Sequence, residues 1–258
     1  MMAPIIEVKN LNVSRNGARV IENASFTVEK GDFIGVVGPN GGGKTTLIKA
    51  ILGVIPKESG SVNLFGSPVE QFNQWRKIGY VSQDAIKFDE SFPLSVRELV
   101  SLGRITGGNI GRRLGREDWR MVDEMLKFMG ITEIASKRIG QLSGGQKQRV
   151  FVAKAMVRDP EILFLDEPVA GVDPETQEKF YVKLNGLNSK RGTTIIDVSH
   201  DLSAVFCRMS KVVCVNKEVN VADITDDEAF SAALKKAYGE HFHFVFHENL
   251  CEGFFEDV

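Results

Sequence analysis

Residues 38–46 read GPNGGGKTT, directly after the apolar run DFIGVV and directly before a helical stretch, Thr45 to Leu52, that Gly53 ends. The string fits G-x-x-x-x-G-K-[ST], and a strand before it with a helix after it is the context that gives the pattern physical meaning. Backbone N–H groups from Gly38, Pro39, Asn40, Gly41, Gly42 and Gly43 lie along such a turn and, where the residue has an N–H, converge on a phosphate. The helix N-terminus adds its positive dipole end. Gly41, Gly42 and Gly43 carry no Cβ to hold a ligand off. Lys44 reaches β- and γ-phosphates, Thr45 offers a hydroxyl to Mg²⁺, and Thr46 completes the turn. A phosphate loop alone leaves kinases, GTPases and many ATPases open.

The flanking pattern sets the fold class. IIEVKNLNV, VIENASFTV and DFIGVV read as strands broken at Asn16-Gly17 and Lys30-Gly31, with SVNLFG and KIGYVS as further short strands. From about residue 86 to residue 158 the periodicity is helical: Ser95 caps VRELVSL, and EDWRMVDEMLKFM precedes Gly130. Gly103 to Arg116, rich in Gly and Arg, reads as a loop. EILFLDEP, TTIIDVS and KVVCVN are continuous apolar runs of the kind buried on both faces of a parallel sheet. Asp173-Pro174 and Asp201 mark the starts of the helices between them. The expectation is an α/β core with a largely parallel sheet and an inserted helical lobe.

Composition narrows the partners. A chain of 258 residues that is 43% hydrophobic can bury one sizeable core, and a net charge of −2 gives no basic surface for nucleic acid. Cys207, Cys214 and Cys251 lack metal-ligand spacing and read as small buried hydrophobes in a reducing compartment. The N-terminus does not read as a signal peptide, and no apolar run approaches the ~18 residues of a membrane span. A soluble cytoplasmic chain is the expectation.

Two more segments decide the class. ILFLDEP (Ile162 to Pro168) is an apolar strand ending in acids: Asp166 is suited to hold Mg²⁺, and Glu167, pointing to the other side, to act as general base for an attacking water. LSGGQ (Leu142 to Gln146) opens the helical run QKQRVFVAKAMV, with Ser143 as N-cap and Gly144 and Gly145 leaving first-turn N–H groups bare. Taken with the phosphate loop and Asp166-Glu167, LSGGQ resembles the signature motif of ABC ATPases, and the resemblance covers nearly the whole chain. Gln83 after KIGYVS resembles the Q-loop glutamine, VAGVD (Val169 to Asp173) the D-loop, and His200 the switch histidine.

The resemblance implies a P-loop NTPase core (1–85 and 159–215) with a mostly parallel sheet and an N-terminal antiparallel β subdomain. A helical subdomain (86–158) and a C-terminal tail (216–258) complete it. It implies ATP and Mg²⁺, the latter held by Thr45, Gln83 and Asp166. It implies a head-to-tail homodimer with two shared ATP sites, each between Gly38–Thr46 of one chain and Ser143, Gly144, Gly145 and Gln146 of the other. Lys44 and His200 would contact the γ-phosphate, Glu167 would activate water, and Gln83 would link the site to the helical lobe. The family commonly stacks adenine on an aromatic residue where this chain has Arg15; a guanidinium also stacks on a ring, and tolerance of GTP beside ATP is expected.

One motif set and no sustained heptads favour a transport ATPase over chromosome, repair or translation ATPases. GPNGGGKTTLIKAILG, FDESFPLSVRELVSLGR, PVAGVDPETQEKFY and SHDLSAVF resemble the ATPases of zinc, manganese and iron importers. That implies permease subunits in the membrane, an extracytoplasmic solute-binding protein, and residence at the cytoplasmic membrane face. An importer of another small solute, or a non-transport ABC ATPase, is the alternative. Phe88 and Phe92 read as a socket for a permease helix or as lobe packing. In HFHFVFH, strand spacing puts His241, His243 and His247 on one face, as an edge strand or a metal sensor.

Overall fold

The computed structural model describes residues 3–87, 92–169, 171–199 and 209–239. The chain divides into two compact units, one of Met1–Trp75 with Asn188–Val258 and one of Arg76–Leu187.

In the first unit the N-terminal strands β1 (Ile6–Arg15) and β2 (Ala18–Val28) form an antiparallel hairpin. Asn16 and Gly17 have φ of 51° and 79°, the left-handed pair that a two-residue hairpin turn demands. The buried side chains of β1 are Ile6, Val8, Leu11 and Val13. Their alternation slips by one residue between Val8 and Leu11, and the register of the β1–β2 pair shifts there. Asn10 absorbs the slip at φ 48°, a conformation asparagine tolerates. β4 (Ser59–Leu64) pairs antiparallel with β1, and the short β5 (Ser67–Pro68) extends the edge.

β3 (Phe33–Val37) is buried at every position and lies parallel between β8 (Thr194–Val198) and β9 (Lys211–Asn216). Burial on both faces is why all three strands read as unbroken apolar runs. Gly35 in β3 is required by packing, since a Cβ there would sit 2.0 Å from the Met209 sulfur. Helix α1 (Lys44–Ile51) follows the turn after β3 and stops before Gly53, which has φ 64°.

The segment read as a tail contains two ordered elements. β10 (Glu218–Asp223) turns back antiparallel on β9, and a helix, α6 (Asp227–Tyr238), packs on it; α6 is capped by Asp226, whose Oδ1 accepts from Ala229 N at 3.0 Å. β10 has only one buried position, so its apolar pattern is faint. The HFHFVFH motif, Phe88, Cys207, Cys251 and the helix start at Asp201 lie outside the described residues.

Among its described residues the second unit holds β6 (Ile78–Val81) and β7 (Ile162–Asp166), a parallel pair, and the α-helices α2 (Val96–Leu102), α3 (Arg116–Phe128), α4 (Gly144–Met156) and α5 (Pro174–Arg191), the last assigned to this unit as far as Leu187. Ser95 caps α2 in a full capping box with Glu98, as its sequence signals. α3 buries Val122, Met125 and Leu126 at helical spacing. Its outer face carries the ion pairs of Arg120 with Glu117 and Glu124. Gly103, at the end of α2, permits close approach: a Cβ there would lie 2.2 Å from the Lys154 carbonyl of α4. Phe92 is 47% exposed. β6, β7 and α5 thus group with the helices, whereas the sequence reading separated core from lobe at residues 86 and 158. Among the described residues no helix is long and apolar enough to cross a membrane.

Candidate functional site

The turn from Gly38 to Gly43 is held open by backbone conformation. Gly38, Gly41 and Gly43 have φ of 151°, 79° and 106°, where L side chains are strained. The glycines differ in what surrounds them. Gly41 has nothing within 4 Å of its Cβ position and faces out. Gly42 has the Val215 carbonyl 2.7 Å away, and Gly43 has Ile21 and the Val20 carbonyl at 2.9 and 3.0 Å. Two of the three central glycines are therefore needed by packing behind the loop, in addition to any approach of a ligand from the front.

Gly43 is the N-cap of α1 and offers no side-chain cap, so the first-turn N–H groups are kept for an incoming acceptor. Lys44 is 6% exposed, and its Nζ donates to the Gly38 carbonyl at 2.8 Å and the Pro39 carbonyl at 3.2 Å. A buried ammonium held by two carbonyls is preorganised to exchange them for phosphate oxygens. Thr45 follows on the same turn. Arg15 is exposed beside the β1–β2 turn, and no ion pair involves it among the described residues.

In the second unit β7 delivers two acids. Asp166 is 1% exposed at the end of the strand. Glu167, the next residue, has φ 52°, a strained conformation for a side-chain-bearing residue of the kind stored at functional sites. Gln83, just after β6, donates from Nε2 to Glu167 Oε2 at 2.8 Å. The parallel β6–β7 register, Val81 opposite Leu165, brings this pair together. Sequence reasoning missed Tyr80. Burial, then the charges of Asp166 and Asp84, push its phenol up to about 12, so a neutral hydroxyl faces the Asp166 carboxylate. An aromatic with a polar tip in the strand neighbouring an acidic strand end was the available signal.

Ser143 caps α4: its Oγ accepts from Gln146 N at 3.4 Å, and Gln146 Oε1 accepts from Ser143 N at 3.1 Å. The reciprocal box uses one donor of the first turn and leaves the N–H groups of Gly144 and Gly145 unused by the helix. Gly144 has no atom within 4 Å of its Cβ position, whereas a Cβ on Gly145 would lie 2.3 Å from Thr176 Cγ2 of α5. One glycine faces out and the other packs. In the VAGVD segment Gly171 has φ 76°, and Asp173 Oδ1 accepts from Thr176 N at 2.9 Å to cap α5, as Asp173-Pro174 signals. Ala170 and His200 lie outside the described residues.

Residues 21–170 match the profile of a family described as ABC transporter. The chain belongs to that family. As an ABC cassette it binds nucleotide and hydrolyses ATP, on an α/β fold whose central sheet is mostly parallel. It is similar to the zinc uptake system ATP-binding protein ZurA of Listeria innocua, 43% identical over 84% of this chain and 85% of that one. It is also similar to the manganese transport system ATP-binding protein MntB of Bacillus subtilis, 36% identical over 96% of this chain and 98% of that one. Among solved structures, the ATP-binding cassette MJ0796, a dimer in a post-hydrolysis state bound to ADP and Pi, superposes with a TM-score of 0.71. It has 25% identity over 85% of this chain and 98% of that one.

Proposed function

We propose that this cassette energises import of a divalent metal ion, zinc or manganese, with iron as a further candidate. The observation that carries the reading is its relatives' names. ABC cassettes similar to it over 84% and 96% of the chain are named as zinc and manganese uptake subunits. In this reading two copies pair head to tail, each ATP shared by Gly38–Thr46 of one and Ser143–Gln146 of the other. The pair sits under membrane permease subunits at the cytoplasmic face, and a solute-binding protein outside the membrane delivers the metal.

Roles follow from the chemistry of the residues. Lys44 gives up the Gly38 and Pro39 carbonyls for β- and γ-phosphate oxygens. The Thr45 hydroxyl, the Asp166 carboxylate and the Gln83 amide oxygen are hard oxygen donors that suit Mg²⁺, and a carboxylate as buried as Asp166 favours a cation nearby. Mg²⁺ bound there would neutralise phosphate charge. Glu167 takes the proton of the attacking water. Its Oε2 accepts from Gln83 Nε2, so action of Glu167 as a base requires that bond to loosen and ties the base to the Gln83 segment. His200 assists at the γ-phosphate, and Arg15 stacks on the base.

The test is uptake by cells carrying the transporter with Glu167→Gln in this subunit. Loss of radioactive zinc or manganese accumulation supports the reading. Undiminished accumulation of both, with lost uptake of some other solute, overturns it. For Arg15, Ala substitution should raise KM for ATP roughly two- to tenfold, the size of a guanidinium–ring contact; identical kinetics with ATP and GTP in both proteins would remove it from the site.

A further inference from the structure

The phosphate loop is gripped from behind by the turn between β9 and β10 and by the end of α6. The Lys217 N–H donates to the Gly42 carbonyl at 3.1 Å, and the Lys217 carbonyl accepts from Glu22 N at 2.9 Å. The Val215 carbonyl lies against both Gly38 and Gly42, 2.0 and 2.7 Å from where their Cβ atoms would be. Asn216 Nδ2 donates to the Ala237 carbonyl at 2.9 Å, tying the last turn of α6 to that same β-turn. Val37, the residue before the loop, shares a buried cluster with Cys214, Phe230, Leu234 and Ala237, and the ring of Tyr238 packs against it. From there the phenolic oxygen of Tyr238 accepts the Gly38 N–H. Burial raises the phenol above its ordinary value and this N–H opposes the rise, so the group is neutral at physiological pH.

All of these partners, apart from the loop, Val37 and Glu22, lie beyond the 21–170 stretch that matches the family. The grip matters because of Lys44. Its ammonium ties the Gly38 and Pro39 carbonyls from the front. When phosphate draws that ammonium away, the rear contacts remain, together with the bond from the Gly42 N–H to the Pro39 carbonyl at 3.0 Å inside the loop, to hold its first peptides at positive φ. We propose that the Val215–Lys217 turn and Tyr238 form a rear brace that keeps the phosphate loop in its anion-binding shape, with Tyr238 as a positioning residue for ATP. The proposal rests on the reading of Gly38–Thr46 as the ATP site.

Tyr238→Phe keeps the ring in its cluster and removes the acceptor. The expected result is an ATP KM raised about three- to tenfold with kcat within about twofold of wild type, the scale of one lost net hydrogen bond. Deuterium uptake should rise in the peptide covering residues 37–43 while the rest of the chain keeps its protection. Asn216→Ala, which frees α6 from the turn without touching the ring, should move both readouts the same way by less, and serves if Tyr238→Phe folds poorly. Unchanged KM and unchanged exchange at 37–43 in folded Tyr238→Phe overturn the brace. So does a uniform rise in exchange with kcat and thermal midpoint falling together. If wild type itself binds no ATP in the same titration, the site reading fails instead.

Discussion

Two glycine-rich helix starts among the described residues present their free N–H groups in different ways. At α1 the turn from Gly38 to Gly43 wraps back on itself, three glycines sit at positive φ, and Lys44 supplies a buried charge. The helix has no side-chain cap. At α4 nothing wraps: Ser143 closes a capping box with Gln146, Ser143 and Gly144 are exposed, and two N–H groups remain. The first arrangement encloses a phosphate with backbone on several sides and pays its conformational strain through rear contacts. The second is a stable helix end that can add donors to a phosphate already held elsewhere. In the proposed function one is a binding site by itself and the other is half of one.

The largest expected effect tests that division. Glu167→Gln keeps the shape of the side chain and removes the base, and should lower kcat by about 10²–10⁴-fold, the usual worth of general base catalysis. Nucleotide binding at the α1 turn should survive. If the α4 start is the complementary half, this variant accumulates as an ATP-bound dimer in size-exclusion chromatography with light scattering. A protein that stays monomeric at saturating ATP would break the comparison, because the α4 start would then have no phosphate to complete.

Next comes a pair of glycine substitutions. Gly38→Ala places a Cβ 2.0 Å from the Val215 carbonyl at φ 151°, and should cost roughly 2–5 kcal/mol in urea unfolding. Gly144→Ala meets no atom within 4 Å in a helical first turn, so its unfolding midpoint should equal or slightly exceed that of wild type. In the Glu167→Gln background it should nevertheless weaken the ATP-bound dimer if the methyl stands on the face that the proposed dimer buries. A Gly144→Ala protein that dimerises normally would show that this face is not the contact.

These outcomes bear on what a sequence can convey. The phosphate loop, the acids at the end of β7 and the caps at Ser95, Ser143 and Asp173 were legible because each depends on residue type at fixed spacing. The bulge in β1 was present too, as a phase slip between Val8 and Leu11. The two roles of glycine were not separable: Gly41 and Gly42 are adjacent letters, and only the Val215 carbonyl distinguishes them. The brace was hidden for a related reason. A backbone donor such as Lys217 N–H has no residue-type signature, and β10 buries too little to announce itself. The Gln83–Glu167 bond needed the β6–β7 register, which sequence spacing does not fix.

The smallest effect is the most discriminating between cap and ligand. Ser143→Ala deletes the hydroxyl that accepts from Gln146 N, a long bond at 3.4 Å, so the loss in urea stability should fall near the low end of about 0.5–2 kcal/mol. At α1 no equivalent substitution exists, because Gly43 caps that helix without a side chain. If the hydroxyl only caps, the ATP-bound dimer of the Glu167→Gln protein weakens no more than stability does, and Ser143→Asn restores both, since asparagine caps as well as serine. If the hydroxyl also reaches the partner's γ-phosphate, dimer affinity falls well beyond the stability loss, and Ser143→Thr, which keeps a hydroxyl, restores it where asparagine does not. The long bond favours the second outcome, because a hydroxyl weakly engaged by its own helix can rotate to a stronger acceptor at little cost.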